Sequence, residues 1–68
     1  MKYYILNTLA QPNGDHEVHN ATCTYLPELK NQISLGYCHD DFEALMKARQ
    51  YFAKADGCAF CCPGIHRS

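Results

Sequence analysis

The chain has 68 residues, which is enough for one domain at most. A chain this short buries only about 60% of its unfolded surface, so its core needs a disulfide, a metal or oligomerisation for support. A hydrophobic fraction of 47% with 19% charged residues predicts a globular chain rather than a disordered one. The net charge of −1, with no run of basic residues, disfavours a non-specific nucleic-acid binder, which needs clustered lysine and arginine.

The compartment is inferred from what the chain lacks and from its cysteines. The first ten residues contain no long apolar core and no convincing cleavage site, so we expect no signal peptide. No stretch approaches the ~18–20 apolar residues of a membrane span, so we expect no membrane partner. The expected compartment is therefore the cytoplasm, where disulfides are rare. Five cysteines, an odd number, then favour metal binding over disulfide bonding.

The first half of the chain predicts a β-hairpin. Residues 2–9 are rich in β formers and predict a strand. Residues 11–15 contain Pro-Asn-Gly, which is strong turn chemistry because glycine accepts positive φ and proline presets its own φ. Residues 16–20 return as a second strand with Val18 pointing inward. The hairpin thus delivers His19 to the end of its second strand.

A connector and a third strand follow the hairpin. Residues 21–30 are expected to form a compact connector, in which Pro27 limits any helical turn. Residues 32–37 alternate polar and apolar side chains, which predicts a strand. The side chains expected on one face of this strand are Ile33, Leu35 and Tyr37.

The strongest helical pattern follows the third strand. Asp40 or Asp41 is a good N-cap, and Glu43 lies in the first turn, where negative charge suits the helix dipole. The stripe with helical spacing comprises Phe42, Leu45, Met46, Arg49 and Phe52, of which Arg49 is the polar break. Gly57 is expected to end the helix as the C′ residue, so that Cys58 follows the helix end directly.

These elements together predict an α+β fold in a single domain of residues 1–68. Its architecture would be a β-hairpin plus a third strand packed on one C-terminal helix, stapled by zinc. The last five residues, Gly64 to Ser68, are expected to fray.

Two pairs of residues are spaced like metal ligands: His19-x₃-Cys23 and Cys58-x₂-Cys61. Two residues between thiolates allow both sulfurs to point at one ion, and the pairs lie about 35 residues apart with a plausible fold between them. One imidazole and three thiolates are the ligands of a closed, tetrahedral structural zinc site. We therefore predict one structural Zn²⁺ in this chain.

Several alternatives remain open from the residues alone. Cys62 competes with Cys61, because Cys58-x₃-Cys62 is also a possible spacing. We expect His16 to face the same side of the strand as His19, which makes it a second candidate imidazole. Cys38 is predicted to be a buried or half-buried free thiol. The cysteines could instead be ordinary buried residues, or a redox pair, although the expected position after a helix disfavours a low thiol pKa.

The chain resembles the metal-binding domain of bacterial Ada-type methylated-DNA repair proteins, and more closely the stand-alone or appended relatives of that domain whose front pair is His-x₃-Cys. The matching segments span about two-thirds of the chain. They are Val18-His19, Cys23-Thr24-Tyr25-Leu26, Glu43-Ala44-Leu45 and Cys58-Ala59-Phe60-Cys61-Cys62-Pro63. The resemblance implies a small α+β fold and a structural zinc. It also implies the ligands His19, Cys23, Cys58 and Cys61, because Pro63 then lies two residues after the last one.

The resemblance does not extend to the repair reaction. In the repair proteins, the first residue of the front pair is a cysteine that accepts a methyl group from a DNA phosphotriester. This position is His19 here, and an imidazole does not replace a zinc-activated thiolate. Replacing one thiolate by a neutral imidazole also makes the site less negative, which should lower the nucleophilicity of the remaining sulfurs.

We expect a zinc-stabilised interaction module that is not an enzyme, because protein side chains fill all four metal positions. A protein partner would meet the helix surface and the hairpin aromatics Tyr3 and Tyr4, which we expect to be exposed on opposite faces. The alternative is a nucleic-acid-binding accessory domain, which requires the six basic residues to gather on one face. A thiol-reactive or metal-transfer protein using Cys38 or Cys62 is a third hypothesis.

Overall fold

A four-stranded mixed sheet and one α-helix make up the computed structural model, which describes residues 1–67. The strands are β1 (Lys2–Asn7), β2 (His16–Asn20), β3 (Gln32–Cys38) and β4 (Ala55–Gly57), and the helix is α1 (Asp41–Ala48). Their order in the sheet is β3-β1-β2-β4, with β1 antiparallel to both neighbours and β4 parallel to β2. This architecture confirms a small α+β fold. Among the described residues, no helix has the length and apolar character needed to cross a bilayer.

The predicted hairpin is present as β1 and β2. Ile5 pairs with His19 and Leu6 pairs with Val18 across the two strands. The turn between them uses Gly14 at φ 90°, a left-handed conformation that glycine adopts without steric cost. Val18 is fully buried, as predicted.

Strand β3 departs from the predicted alternation because it contains a β-bulge. Tyr4 pairs with Gly36 whereas Ile5 pairs with Ser34, which leaves Leu35 as an extra residue on β3. The side-chain direction therefore shifts at the bulge: Leu35 is buried, but Tyr37 is 64% exposed. The prediction that Tyr37 shares a face with Leu35 is wrong for this reason.

Helix α1 begins as predicted but ends early. The Asp40 side chain accepts a hydrogen bond from the Glu43 backbone N–H at 2.8 Å, which caps the first turn. The helix is capped at its C-terminus by Arg49 and does not reach Gly57. The prediction of a longer helix is wrong because residues 55–57 form β4, whose backbone pairs with β2.

The buried face of α1 also differs from the predicted stripe. Ala44, Leu45 and Ala48 face the sheet, whereas Phe42 is 62% exposed and Met46 is 49% exposed. The two small alanine side chains allow the helix backbone to approach the sheet closely, and Leu45 is the large apolar side chain of α1 that is buried.

Tyr4 lies beneath the N-terminus of the helix. It is 1% exposed, and its hydroxyl donates a hydrogen bond to the carboxylate of Asp41. Burial, reinforced by this contact, raises the pKa of the Tyr4 hydroxyl above its usual range. The prediction that Tyr4 is an exposed hairpin aromatic is therefore wrong.

The C-terminal segment is packed rather than frayed up to residue 67. Residues Pro63–Ile65 form a 3₁₀ turn, and the Ile65 side chain is buried. The Arg67 backbone N–H donates to both carboxylate oxygens of Asp56, at 3.0 and 3.1 Å. These contacts correct the expectation for residues 64–67. Ser68, the last residue of that expectation, lies outside the described residues.

Substitution of Gly57 by alanine is expected to destabilise the fold. An added Cβ would lie 2.4 Å from the Ile65 side chain and 2.7 Å from the Cys62 backbone oxygen, so β4 and the C-terminal turn would have to separate. Overpacking of this kind costs about 1–3 kcal/mol. Gly64→Ala is the matched control, because no atom of the other residues in the range 1–67 lies within 4 Å of its added Cβ. Denaturant unfolding of both variants measures the difference, and equal midpoints would contradict the close approach.

Candidate metal centre

Four side chains from separate parts of the chain meet at one end of the sheet. The ligand atoms of His19, Cys23, Cys58 and Cys61 all lie within 4.8 Å of one another. The two sulfurs of Cys23 and Cys58 are 3.9 Å apart, and the Cys61 sulfur is 3.8 Å from His19 Nδ1. A tetrahedral site with Zn–S bonds of about 2.3 Å has sulfur–sulfur distances of about 3.8 Å. The spacing of these four ligand atoms is therefore compatible with their binding one four-coordinate ion.

The front pair is positioned by β2 and the turn after it. His19 lies in the second-to-last position of β2 and is 1% exposed. The Asn20 backbone carbonyl accepts the Cys23 N–H at 3.0 Å. The Asn20 side-chain oxygen accepts both the backbone N–H and the hydroxyl of Thr22, at 3.0 and 2.6 Å. These bonds close the turn and return Cys23 to the side of His19.

The back pair is positioned by β4 and not by a helix end, which corrects the sequence-based expectation. Cys58 follows β4 directly, and its backbone N–H donates to the Val18 carbonyl at 2.9 Å, so the pairing with β2 continues to the ligand. The Cys62 N–H donates to the Cys58 carbonyl at 2.9 Å. This turn brings the Cys61 sulfur close to the sulfur of Cys58.

Backbone N–H groups point at two of the sulfurs. Asn20 N lies 3.4 Å from the Cys61 sulfur, and Tyr25 N lies 3.4 Å from the Cys23 sulfur. Hydrogen bonds to the charged form of a group favour that form. The two contacts therefore suit thiolates, the form in which cysteine binds metal.

The His19 ring presents one nitrogen to the sulfurs and the other to a carboxylate. Nδ1 faces Cys61, whereas Nε2 is 3.6 Å from the Glu17 carboxylate and has no hydrogen-bond partner among residues 1–67. Burial lowers the pKa of His19, although Glu17 opposes this shift. A neutral imidazole is the form that binds metal, and a carboxylate beside its second nitrogen is the usual support for a metal-bound histidine.

The sequence-based reasoning missed Glu17. Strand periodicity could have identified it, because residues 17 and 19 are two positions apart in a strand and their side chains therefore point to the same side.

The geometry distinguishes Cys61 from Cys62. Cys62 is fully buried within the hydrophobic core, and its sulfur lies 3.8 Å from that of Cys61. Cys61 belongs to the group of four converging ligands, and Cys62 does not. Burial, with a contribution from Asp41, raises the pKa of Cys62 to about 11. Burial also raises the pKa of Cys61.

The other candidate residues lie elsewhere. The His16 ring stacks on Phe52 with centroids 3.6 Å apart, and its Nδ1 contacts the Asn7 carbonyl at 3.0 Å. His16 and His19 are three positions apart in the strand, so strand alternation places them on opposite sides, and the expectation of a shared side is wrong. Cys38 is a fully buried free thiol, which confirms that prediction.

Two aromatic rings are in contact between the turn that carries Cys23 and the turn that carries Cys61. The rings of Tyr25 and Phe60 have centroids 4.4 Å apart and are tilted by 34°. Tyr25 is two residues after Cys23, and Phe60 directly precedes Cys61. Both rings are mostly exposed, at 59% and 72%. They border a pocket of about 220 Å³ that reaches both cysteines, Thr22 and Thr24. We call it the aromatic pocket.

Comparison with protein-family models, with curated proteins and with solved structures found no match to this chain. The resemblance to the Ada-type domain therefore stays a prediction from the short motifs around the two residue pairs. Independently of that similarity, the chain carries a histidine–cysteine cluster whose geometry is compatible with metal binding.

Proposed function

We propose that this chain is a zinc-binding module in which the metal holds the fold together and the surface binds a protein partner without catalysis. The observation that carries the proposal is the convergence of one imidazole and three sulfurs within 4.8 Å. Tetrahedral nitrogen and sulfur ligand sets are typical of zinc, whereas magnesium and calcium prefer oxygen. Since the protein supplies all four ligands, no position is left for a water or a substrate.

Native mass spectrometry of the purified protein tests the metal directly. We expect one Zn²⁺ per chain and release of the ion when His19 is replaced by alanine. Replacement of His16 by alanine is the matched control and should leave the stoichiometry unchanged, because His16 lies on the other side of the strand. A protein that is folded and metal-free as purified, and that takes up no added zinc, would contradict the proposal.

The relation to Ada-type domains belongs to the same proposal. The support is the order of hairpin, third strand, capped helix and closing Cys-x₂-Cys-x-Pro motif, read together with the converging ligands. The histidine at position 19 argues against methyl transfer by the corresponding residue. We propose a relative that kept the structural site and lost the reaction.

The two other functions considered have weaker support. A nucleic-acid interface requires free basic side chains, but Lys47 contacts the Leu35 carbonyl and Lys54 contacts the Asn13 carbonyl. Salt-dependent binding of DNA would revive that alternative.

A thiol-reactive protein requires accessible free sulfurs. Cys38 and Cys62 are both fully buried, which disfavours this function. Alkylation of the zinc-loaded protein at a rate equal to that of a free-thiol control would support it instead.

We propose a reducing compartment such as the cytoplasm for this protein. All five cysteines are free thiols in the structure, and three of them are the proposed ligands. Oxidation to disulfides would remove the thiolates that the metal requires.

Replacement of Glu17 by glutamine is expected to weaken zinc binding without abolishing it. The carboxylate faces the second nitrogen of His19, and loss of such a supporting partner typically costs about 10–100-fold in metal affinity. Glu28→Gln is the matched control, because the Glu28 side chain is exposed and its carboxylate forms a surface ion pair with Lys30, away from the cluster. Competition with a chromophoric chelator measures both affinities. Equal affinity in the two variants would show that Glu17 does not support the ligand.

A further inference from the structure

The aromatic pocket lies directly against the proposed metal ligands. The Cys23 and Cys61 side chains are half-buried and line it, whereas Cys58 and His19 are buried behind them. The remaining walls are the Tyr25 and Phe60 rings, two threonines and Asn20. A molecule in this pocket therefore meets an exposed aromatic ring and two of the sulfurs together.

The charge of the pocket is set by the metal centre. No lysine, arginine, aspartate or glutamate lines it. A Zn²⁺ ion bound by three thiolates and one neutral imidazole leaves one net negative charge, which lies on the sulfurs. The charge of a bound ion and its ligands dominates the local electrostatics of such a site. The net charge of the whole chain is also negative.

We infer that the aromatic pocket binds an arginine side chain of a partner protein. The inference rests on the proposed zinc centre, which supplies the negative charge. A guanidinium group is planar, weakly hydrated and always charged, so it stacks on aromatic faces while its N–H groups donate hydrogen bonds. Acceptors among the lining residues include the thiolate sulfurs and the threonine hydroxyls, with the oxygens of Asn20 beside them.

The ring geometry decides where the guanidinium lies. Tyr25 and Phe60 already contact each other, with centroids 4.4 Å apart, so no group fits between them. The arginine therefore stacks on the exposed face of one of the two rings within the pocket. The Thr22 hydroxyl donates to Asn20 at 2.6 Å, which leaves its oxygen lone pairs free to accept. Lysine is a weaker occupant because its ammonium is compact and strongly hydrated.

Titration of the zinc-loaded, ¹⁵N-labelled protein with a capped Gly-Arg-Gly peptide tests the inference. We expect saturable amide shifts confined to residues 22–25 and 59–61. The same peptide with citrulline in place of arginine has nearly the same shape without the charge. Loss of the cation–π and charge contributions should weaken its binding about tenfold. Equal shifts with the citrulline peptide, or no shifts with the arginine peptide, would overturn the inference.

Variants separate binding from a merely structural role of the rings. Tyr25→Leu and Phe60→Leu keep an apolar contact between the turns that carry Cys23 and Cys61 but remove the π faces. We expect both variants to retain one zinc and to lose most of the arginine affinity. Phe42→Leu is the matched control, because Phe42 is similarly exposed but lies on α1. Unchanged arginine binding in both ring variants would contradict the inference.

The metal content of each sample distinguishes the two proposals. A protein that holds one zinc but does not bind the arginine peptide refutes the inference alone. A folded protein without zinc refutes the proposed function, and arginine shifts of equal size in that sample would refute the role of the metal charge. Titration with a single-stranded oligonucleotide is the further comparison. Stronger shifts of the same amides by the oligonucleotide would assign the rings to base stacking and overturn the arginine assignment.

Discussion

Complete removal of the proposed zinc ion is expected to unfold this protein. Structural zinc contributes on the order of 10–16 kcal/mol in small zinc-folded peptides near neutral pH. The stability of a typical domain is only about 5–15 kcal/mol, and a chain of 68 residues lies at the small end of the size range for independent folding. The proposed ion would join His19 and Cys23, at the end of β2, to Cys58 and Cys61, which follow β4. Its loss therefore removes the link between these two segments.

The expected unfolding on metal removal depends on the histidine–cysteine cluster as well as on the small hydrophobic core. Without a cation, three sulfurs and an imidazole lie close together in a largely buried site, where burial raises the pKa of Cys61 and lowers that of His19. Both shifts favour neutral groups, which repel less but also bond weakly to one another. The closing turn is then held mainly by backbone hydrogen bonds, such as that from Cys58 to Val18.

Amide spectra of the protein before and after exhaustive chelation measure this effect. We expect dispersed signals with zinc, collapsed signals without it, and recovery on addition of one equivalent of Zn²⁺. Metal analysis of the chelated sample is the necessary control. Native-like dispersion in a sample shown to be metal-free would disprove a folding role for the ion.

Cys61→Ser is expected to weaken zinc binding far more than Cys62→Ala. The Cys61 sulfur lies with the other three ligand atoms, whereas Cys62 packs in the core beneath them. Mutation of a residue that only supports a ligand typically lowers metal affinity about 10–100-fold. Loss of a ligand thiolate should lower the affinity further. Loss of the Cys62 sulfur leaves a small cavity in the core, which should lower stability but keep the ion.

Each member of this pair of variants controls for the other, because the two positions are adjacent in the chain. Zinc stoichiometry by native mass spectrometry and affinity by chelator competition are the measurements. The reverse order, with zinc retained in Cys61→Ser and lost in Cys62→Ala, would assign the site to the alternative spacing Cys58-x₃-Cys62.

The local elements of the fold were predictable because neighbouring residues determine them. The Pro12-Asn13-Gly14 turn predicts the hairpin, and Asp40 predicts the start of the helix, since both depend on side chains within four residues. The two ligand pairs are recognisable for the same reason. Short spacings between ligands are a property of the chain itself and need no knowledge of the fold.

Some wrong predictions concern the directions in which strand side chains point. The opposite directions of His16 and His19, and the shared direction of Glu17 and His19, follow from the period of a strand and were available from the chain. The bulge at Leu35 was not available, because it arises from the pairing of β3 with β1 and reverses the direction of the side chains that follow.

The sequence by itself determined which residue types can bind a metal, where the chain turns and where the helix begins. Only the tertiary structure decided that residues 55–57 are a strand, because three residues have too little propensity to form one without the backbone of β2 beside them. That pairing positions Cys58, brings Cys61 rather than Cys62 to the cluster and places two aromatic rings over it. Convergence across about 35 residues depends on long-range contacts, which no local pattern encodes.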